Sequence, residues 1–480
     1  MVEDYNKDEE IEKLTESLKH NKKSDFEFHD TINPVYSTGA GLTRKTVEEI
    51  SDIKHEPDWM RRSRLKALEI FLSKPMPTWG PDLSGIDFDS LTYYSKPGET
   101  KAKNWDDVPD KIKETFDKLG IPQMEQKYLA GSVAQYDSEG VYGSLRKEWE
   151  DKGVIFTDLD TAIQEHPDLV KDYYCRAIPP SDNKFAALNG AVWSGGSFRY
   201  VPKNVQIDMP LQTYFRMNGE QSGQFEHTIV VADEGAKVHY IEGCTAPKYN
   251  TSSLHTAIVE IYARKNSDVK YTSVQNWSDS VYNLPVKRAW VDENAHMDWV
   301  TGELGSKVTM IYPSSYLRGR KASTSNLQIT LATKDTFKDA GGKALHLAPD
   351  TTSRIVSKSI SLDNGVTAYR GLVRMNEGAL RAKSHVQCDA LLINSDSKNY
   401  TYPYDEIYEP TAEFSHEATV GKIGTDELTY LRSRGLSEDE ASSMIVLGFM
   451  DDIMKEIPME FAVEMNRLVK LEMSKMGAVG

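Results

Sequence analysis

The sequence predicts a mainly β protein, with a β-solenoid core between two helical regions. Short strand-like stretches such as HTIVVAD, KVHYIEG and TAIVEIYA fill residues 183–410. No helical pattern of about 10–15 residues separates these stretches, which disfavours alternating strand–helix units. Turn segments also recur among them at intervals of about 30 residues, a period expected for solenoids.

The repeat is visible in three segments, VVADEGAKVHYIEG, IYARKNSDVKYTSVQ and WVDENAHMDWVTGE. Val238, Val269 and Met297 are their matching apolar positions. Because the repeat is degenerate, a β-sandwich is the alternative architecture.

The first region, residues 1–182, is predicted to be mixed and largely helical. DWMRRSRLKALEIFL has the apolar spacing of an amphipathic helix, and TAIQEHPDLVKDYY forms a second helical stretch. A loop rich in Pro and Gly, PMPTWGPDLSG, lies between them.

The last region, residues 411–480, is also predicted to be helical. Thr425 can cap a short helix, Ser437 and Glu440 form a capping box, and Pro458 opens a final helix. Methionines in this region either fill a small helical core or form a face that packs around a partner. They are Met444, Met450, Met454, Met459, Met465, Met473 and Met476.

Composition and charge exclude several classes of function. The formal net charge of -16 argues against a nucleic-acid or anionic-membrane partner, since both favour a basic surface. No apolar run approaches the ~18 residues of a membrane span. No secretory signal is visible in MVEDYNKDEE, so we expect a cytoplasmic protein. Phosphate-loop, dinucleotide-binding, HExxH and GxSxG motifs are all missing from the sequence.

Three cysteines are present, Cys175, Cys244 and Cys388, and no two form a CxxC pair. Their odd number and wide spacing fit a reducing compartment. A site with four cysteine ligands is therefore impossible within one chain. Any metal site must recruit His, Asp or Glu, or share ligands with a partner.

Cys388 lies in the strand-like stretch SHVQCDALLI, where alternation places Val386 and Cys388 on one face. His416 and Glu417 follow further along the chain. Thiolate, imidazole and carboxylate together can hold iron with exchangeable bonds. The alternatives are a buried core cysteine and a solvated His–Glu pair.

Cys244 follows a strand, in IEGCTAP, and its Gly/Pro turn favours an accessible thiol. An accessible thiol with a lowered pKa is what a sulfur acceptor needs. The alternative is an unreactive turn cysteine. Cys175, beside two tyrosines, is assigned no role.

Several motifs, read in order, resemble the SufB family: IEGCTAP, YTSVQNWS, HLAPDTTSRIVSKSIS, AYRGLVRM, VQCDALLI and SHEATVGKIG. DNKFAALNGAVWSGGSF before them and RGLSEDEASSMIVLGFM after them extend the resemblance from about residue 40 to the C-terminus. It implies a right-handed parallel β-helix between helical domains, here with residues 1–182, 183–410 and 411–480 as the three parts.

The resemblance further implies a non-enzymatic scaffold on which iron–sulfur clusters are assembled. Such chains pair with a SufD subunit, or here with a second copy, and their C-terminal helices dock the ATPase SufC. A cysteine desulfurase with a sulfur carrier supplies persulfide sulfur, and apo-proteins receive the transient cluster. Reduced flavin is linked to such complexes, although the sequence contains no motif for it.

The resemblance also assigns roles to residues. Cys244 resembles the sulfur acceptor, and Cys388, His416 and Glu417 resemble the cluster-binding residues. A polar path through the β-helix interior is implied to join the two cysteines, through Arg216, Asn218, Ser273, Gln275, Trp277 and Lys287.

Two departures from the family pattern favour a cluster site completed by a partner, for example by a SufD histidine. Ser415 stands where some members have an acidic residue, and Cys388 lacks the neighbouring cysteines of other members. Two alternatives are a SufD-like structural subunit and a β-helix carbohydrate-active enzyme such as a polysaccharide lyase. The joint presence of Cys244, Cys388 and the His–Glu pair favours SufB.

Overall fold

The structure is a computed structural model that describes residues 34–96, 108, 129–218, 222–246 and 252–457. The helix predicted from Pro458 lies outside these residues, as do Met459, Met465, Met473 and Met476.

Two large sheets form the body of the protein, and the chain passes from one to the other after almost every strand from residue 198 onward. Each strand pairs in parallel with the strand one coil earlier, apart from two antiparallel pairs at the N-terminal end. This connectivity defines a parallel β-solenoid and excludes the β-sandwich alternative.

Sheet I contains β5 (Ile155–Thr157), β6 (Phe198–Val201), β8 (Gly223–Ala232), β10 (Ser253–Ala263), β12 (Val281–Asn283), β13 (Val286–Val291), β15 (Val308–Ile311), β16 (Ser314–Leu317), β18 (Phe337–Ala340), β19 (Lys343–His346), β21 (Val366–Met375) and β23 (Lys398–Ile407). Sheet II contains β3 (Gly131–Tyr136), β4 (Glu139–Leu145), β7 (Leu211–Arg216), β9 (Lys237–Thr245), β11 (Asp268–Trp277), β14 (His296–Gly305), β17 (Ser323–Ala332), β20 (Thr352–Ser361), β22 (Lys383–Leu392) and β24 (Glu413–Lys422). A short pair, β1 (Tyr36–Ser37) and β2 (Ser95–Lys96), lies apart from both sheets.

The predicted repeat corresponds to successive coils of the solenoid. Val269 pairs with Val238 on one side and with Met297 on the other, and all three are buried. The turn between the sheets places Asn266 and Asn294 in the left-handed region, at φ 58° and 55°. Asn tolerates that conformation better than most residues, which is why these turn segments recur at one corner of the coil.

Helices cover the N-terminal end of the solenoid. Asn189 lies on a helix that is buried from Phe185 onward. It donates from Nδ2 to the backbone oxygens of Glu226 and Thr256, so it joins that helix to two strands of sheet I. The N-terminal helices among the described residues are α1 (Arg44–Ile53), α2 (Asp58–Ser73), α3 (Lys147–Glu150), α4 (Leu159–Glu165), α5 (Pro167–Tyr173) and α6 (Lys184–Val192). Strands β3 and β24 join the sheets although they lie outside residues 183–410.

Two described helices follow the solenoid, α7 (Thr425–Ser433) and α8 (Glu438–Glu456). The capping box is confirmed, because Ser437 N donates to Glu440 Oε2 at 2.8 Å and Glu440 N donates to Ser437 Oγ at 3.3 Å. Gly424, rather than Thr425, is the N-cap residue of α7.

Helix α8 packs on sheet II through one face only. Met450 is fully buried in that contact, whereas Met444 is 58% exposed. Met450 therefore belongs to a core, and Met444 to a solvent-facing surface. None of the described helices is long and apolar enough to cross a membrane.

Candidate functional site

Cys244 lies within strand β9 and is only 2% exposed, so the expectation of an accessible turn cysteine is wrong. Its backbone is paired on both sides, with Phe215 of β7 and with Gln275 of β11. Pairing with these two neighbouring strands continues β9 to Thr245, past Gly243, the glycine that suggested a turn. The thiol therefore points into the solenoid interior.

A hydrogen-bonded group surrounds the Cys244 thiol. The amide nitrogen Nε2 of Gln275 lies 3.3 Å from Cys244 Sγ, 3.3 Å from Glu242 Oε1 and 2.9 Å from Ser273 Oγ. On its other side, Gln275 Oε1 accepts from Trp277 Nε1 at 2.7 Å. Three of the predicted path residues therefore meet at the predicted sulfur acceptor.

Lys287 reaches this group from sheet I. Its Nζ atom donates to Ser273 Oγ at 2.9 Å and to Tyr271 OH at 3.0 Å, and lies 3.5 Å from Glu242 Oε1. Lys287 and Glu242 are both buried, so each charge offsets the other in a medium of low dielectric constant. The resulting site has a polar, partly cationic lining.

The environment opposes ionisation of the Cys244 thiol. Burial raises its pKa well above the ordinary value, and the charges of Glu242 and Glu226 raise it further. Lys287 and the Gln275 hydrogen bond act in the opposite direction without cancelling these effects. The sequence does not fix the pKa of this thiol, and the structure favours a neutral thiol at rest.

The two remaining predicted path residues lie on or just after β7. Arg216 is fully buried, and its backbone pairs with Thr245 next to Cys244. Asn218 is 5% exposed, and its backbone nitrogen donates to Asp137 Oδ1 at 2.6 Å. Both therefore lie beside β9, the strand that carries Cys244.

Cys388 and His416 form a second site on the last strands of sheet II. Cys388 Sγ lies 3.5 Å from His416 Nε2, and His416 Nδ1 lies 3.6 Å from Asp405 Oδ2 on β23. Burial raises the pKa of Cys388 to about 12, although a hydrogen bond with Tyr369 opposes the rise. A metal ion here would meet thiolate, imidazole and carboxylate groups.

Glu417 lies on the opposite face of β24 from His416 and is exposed. It pairs with Gln387, whereas His416 pairs with Val386 on the inward face. Because successive strand residues point to opposite faces, the described chain does not bring Glu417 to the Cys388 thiol.

Stacked polar residues occupy the solenoid interior between the two cysteines. The strand pairings align two columns along sheet II, and almost all of their members are polar and buried. Five strand steps of ~4.8 Å separate Cys244 from the Cys388 coil, or about 24 Å. One column is Glu242, Ser273, Thr301, Gln328, Ser357 and Cys388; the other is Cys244, Gln275, Glu303, Thr330, Ser359 and Ala390.

Midway along these columns, several buried polar atoms have no hydrogen-bond partner among the described residues. They are both amide atoms of Gln328, Thr301 Oγ1 and Glu303 Oε1. Such atoms are costly to bury unless water or another polar species pairs with them. The interior therefore contains unused donors and acceptors between the two cysteines.

Sequence reasoning missed several of these residues. Asp405 and Tyr369 come from sheet I, and nothing local in the sequence links them to Cys388. The buried ionisable residues Glu226 and His255 gave a usable signal, because each directly precedes a strand-like stretch of the core, HTIVVAD or TAIVEIYA. Glu303 ends the repeat segment WVDENAHMDWVTGE.

Cys175, which was assigned no role, lies in a third polar group. Ligand atoms of Cys175, His227 and Glu260 lie within 4.8 Å of one another. The Glu260 carboxylate accepts from the backbone nitrogens of Cys175, Ala177 and Ile178 and bonds to His227 Nε2 at 2.9 Å. These contacts tie the segment after α5 to the solenoid, which is a structural role.

The fold and the site define a class: a parallel β-solenoid whose polar interior connects two buried cysteines. Two family descriptions match the chain, "SUF system FeS cluster assembly, SufBD core domain" over residues 215–449 and "SufBD protein N-terminal region" over residues 102–213. The chain belongs to the SufBD family of iron–sulfur cluster assembly proteins.

Relatives from staphylococci agree with this assignment. An iron–sulfur cluster assembly SufBD family protein of Staphylococcus aureus strain MRSA252 is 54% identical over 455 residues, which is 95% of this chain and 97% of the relative. A protein of the same description from Staphylococcus saprophyticus has the same identity and coverage.

Proposed function

We propose that this chain is a SufB-type scaffold that accepts sulfur at Cys244 and builds an iron–sulfur cluster at Cys388. The observation that carries the proposal is the pair of stacked polar columns that join the coils of the two cysteines. A core that served stability alone would fill these positions with apolar side chains.

Sulfur acceptance requires Cys244 to attack the outer sulfur of a donor persulfide. A new S–S bond forms at Cys244, the donor S–S bond breaks, and the donor cysteine leaves with the proton lost by Cys244. The Gln275 amide and the Lys287 ammonium group stabilise the developing negative charge. We expect a cysteine desulfurase with a sulfur carrier to be the donor.

Passage to the second site would follow the polar columns. The unpaired polar atoms of Gln328, Thr301 and Glu303 can hydrogen-bond to an anionic sulfur species or to the water that accompanies it. Arg216, Asn218, Ser273 and Trp277 would act at the start of the path, near Cys244.

Cluster assembly at Cys388 requires more ligands than the described residues of this chain supply at one point. Cys388 and His416 provide a thiolate and an imidazole, and Glu417 provides a carboxylate on the outward face. A partner subunit at this end of the solenoid would supply the rest, and an outward Glu417 can contribute at that interface. The cluster is cargo and passes on to apo-proteins.

The last coil offers a surface for such a partner. Strands β23 and β24 each pair with only one strand among the described residues, so their outer edges are open to a further strand. Tyr404 and Val420, at 54% and 57% exposure, lie on these strands. We propose that a SufD-like subunit or a second copy of this chain pairs there.

The C-terminal helices are the proposed docking site for the ATPase SufC. Helix α8 leaves Met444 exposed although its other face packs on the solenoid. Polarizable, flexible methionines suit a surface that packs around a partner.

The test is anaerobic reconstitution with iron, sulfide and a thiol reductant, followed by visible absorbance. Wild type, Cys388→Ala and Cys175→Ala are compared, since Cys175 lies outside both columns. We expect a thiolate-to-iron band in wild type and Cys175→Ala that is lost in Cys388→Ala. A band of wild-type intensity in Cys388→Ala would contradict the site.

A SufD-like subunit is the alternative, because the family includes both kinds of chain. Persulfide labelling after incubation with a desulfurase and its sulfur carrier separates the two. Sulfur on Cys244 supports the SufB assignment, and unlabelled Cys244 in a complex that still assembles clusters supports the SufD-like one.

A further inference from the structure

A buried chain of four hydrogen-bonded side chains crosses the solenoid beside the Cys244 site. Glu226 Oε2 lies 2.8 Å from His255 Nε2, and His255 Nδ1 lies 2.6 Å from Asn283 Oδ1. Asn283 Nδ2 then donates to Glu303 Oε2 at 3.1 Å. All four residues are at most 2% exposed, and none of them belongs to the path predicted from the sequence.

The hydrogen-bond directions favour a charged imidazole. Asn283 donates to Glu303 through its nitrogen, so the oxygen that faces His255 can only accept. The Glu226 carboxylate also accepts. Both ring nitrogens of His255 must then donate, and an imidazole with two N–H donors carries a positive charge.

The electrostatics agree with this assignment. Burial alone would lower the pKa of His255, but the Glu226 charge and the hydrogen bonds to Glu226 and Asn283 outweigh it and raise the pKa. The Glu242 charge raises it further. Removal of the Glu226 charge would leave the imidazolium buried without an ionic partner, which is costly.

His255 is linked to the Cys244 thiol through two side chains. Its ring centroid lies 4.4 Å from that of Trp277, so the imidazolium is within cation–π range of the indole. The indole Nε1 donates to Gln275 Oε1 at 2.7 Å, and Gln275 Nε2 lies 3.3 Å from Cys244 Sγ. A cation at one end of this series polarises each following N–H donor.

We propose that His255 is held as an imidazolium and is a positioning residue for sulfur at Cys244, acting through Trp277 and Gln275. This inference rests on the proposed sulfur-accepting role of Cys244. Polarised donors lower the free energy of the thiolate that attacks and of the persulfide anion that forms. His255 touches neither the thiol nor the donor, and it exchanges no atom in the transfer.

Two kinds of measurement test the proposal. The first is nitrogen-15 NMR of histidine-labelled protein, which reports the charge of His255 directly. At neutral pH we expect two protonated ring nitrogens for His255, and the loss of that signature in Glu226→Gln. His346, whose pKa is lowered to about 4 by burial, is the neutral internal reference.

The second measurement is the rate of persulfide formation at Cys244, read by alkylation and mass spectrometry with a desulfurase and sulfur carrier. We expect His255→Gln to slow it about tenfold, because the variant removes the positive charge that polarises the Trp277 and Gln275 donors. His346→Gln is the matched control, because it removes a buried histidine bonded to two hydroxyl groups, of Thr351 and Ser353.

The pH profile separates this role from a merely structural one. The ratio of the wild-type loading rate to the His255→Gln loading rate cancels the pH dependence of the Cys244 thiol itself. This ratio should fall as pH rises through the pKa of His255, and Glu226→Gln should move that fall to lower pH. Burial raises the pKa of Glu303 to about 7, so Glu303 also titrates in this pH range. The Glu303→Gln variant removes that titration and shows how much of the pH dependence of loading comes from Glu303. The charged groups that act on His255 and Glu303 are Glu226, Glu242, Lys287 and Lys338.

The outcomes are distinct. A neutral His255 at neutral pH, or His255→Gln that loads sulfur as fast as His346→Gln, overturns the inference and leaves the proposed function intact. A wild-type chain that takes no sulfur at Cys244 contradicts the proposed function, and the role of His255 fails with it.

Discussion

Cys388 Sγ lies 3.5 Å from His416 Nε2, although the two residues are 28 positions apart in the chain. Parallel pairing of β22 with β24 creates this contact, because it places both side chains on the inward face of adjacent coils. The relationship yields a first prediction about which histidine supports cluster assembly.

His416→Asn should lower the intensity of the iron–sulfur band severalfold in anaerobic reconstitution, because it removes the imidazole beside the thiol. His385→Asn is the control, since His385 lies on the other face and bonds to Ser415 Oγ at 2.8 Å. Equal intensities for the two variants would remove His416 from the site.

Glu417 should matter only when a partner is present. Because its side chain is exposed on the outward face, Glu417→Gln should leave the band of the isolated chain unchanged. In a reconstituted complex with SufC and SufD, the same variant should lower the yield of cluster. A loss already present in the isolated chain would place Glu417 at the Cys388 thiol, contrary to the strand geometry.

Alkylation should reveal the electrostatic control of Cys244. Burial and the Glu242 charge raise the pKa of this thiol, so alkylation at neutral pH should be slow and should accelerate as pH rises. Glu242→Gln removes the largest opposing charge, lowers the pKa and should speed alkylation about tenfold for each unit of change. The variant Cys244→Ala shows which part of the alkylation occurs at Cys244. The control is Glu413→Gln, which neutralises an exposed glutamate of sheet II.

Acid should destabilise the fold partly through His346. Burial lowers its pKa from 6.5 to about 4, so below about pH 6.5 the unfolded chain binds a proton that the folded chain does not. Between about pH 7 and pH 5 this residue alone should reduce the free energy of unfolding by about 2 kcal/mol. The loss continues until the folded pKa is reached.

Urea unfolding at the two pH values checks this prediction, with His346→Gln for comparison. The variant should show a smaller pH dependence than wild type. Some dependence should remain, because burial also lowers the pKa of His239 to about 4. An identical pH dependence in both proteins would mean that His346 does not titrate as a buried neutral group.

Local signals in the sequence determined much of the fold. Alternation of polar and apolar residues placed Val386 and Cys388 on one buried face, and the turn residues gave the period that aligned Val238, Val269 and Met297. Both signals involve neighbours along one strand or one turn, so no tertiary information is needed to read them. The motifs in their order also indicated the family.

Only the tertiary structure decided what meets in the interior. The glycine before Cys244 suggested a turn, but pairing with β7 and β11 keeps the residue in a buried strand and raises the pKa of its thiol. Likewise, the contacts of Asp405 with His416 and of His255 with Trp277 join different sheets. The number of residues in each coil determines which side chains of the two sheets face each other. In the sequence, that number is visible only as a degenerate repeat.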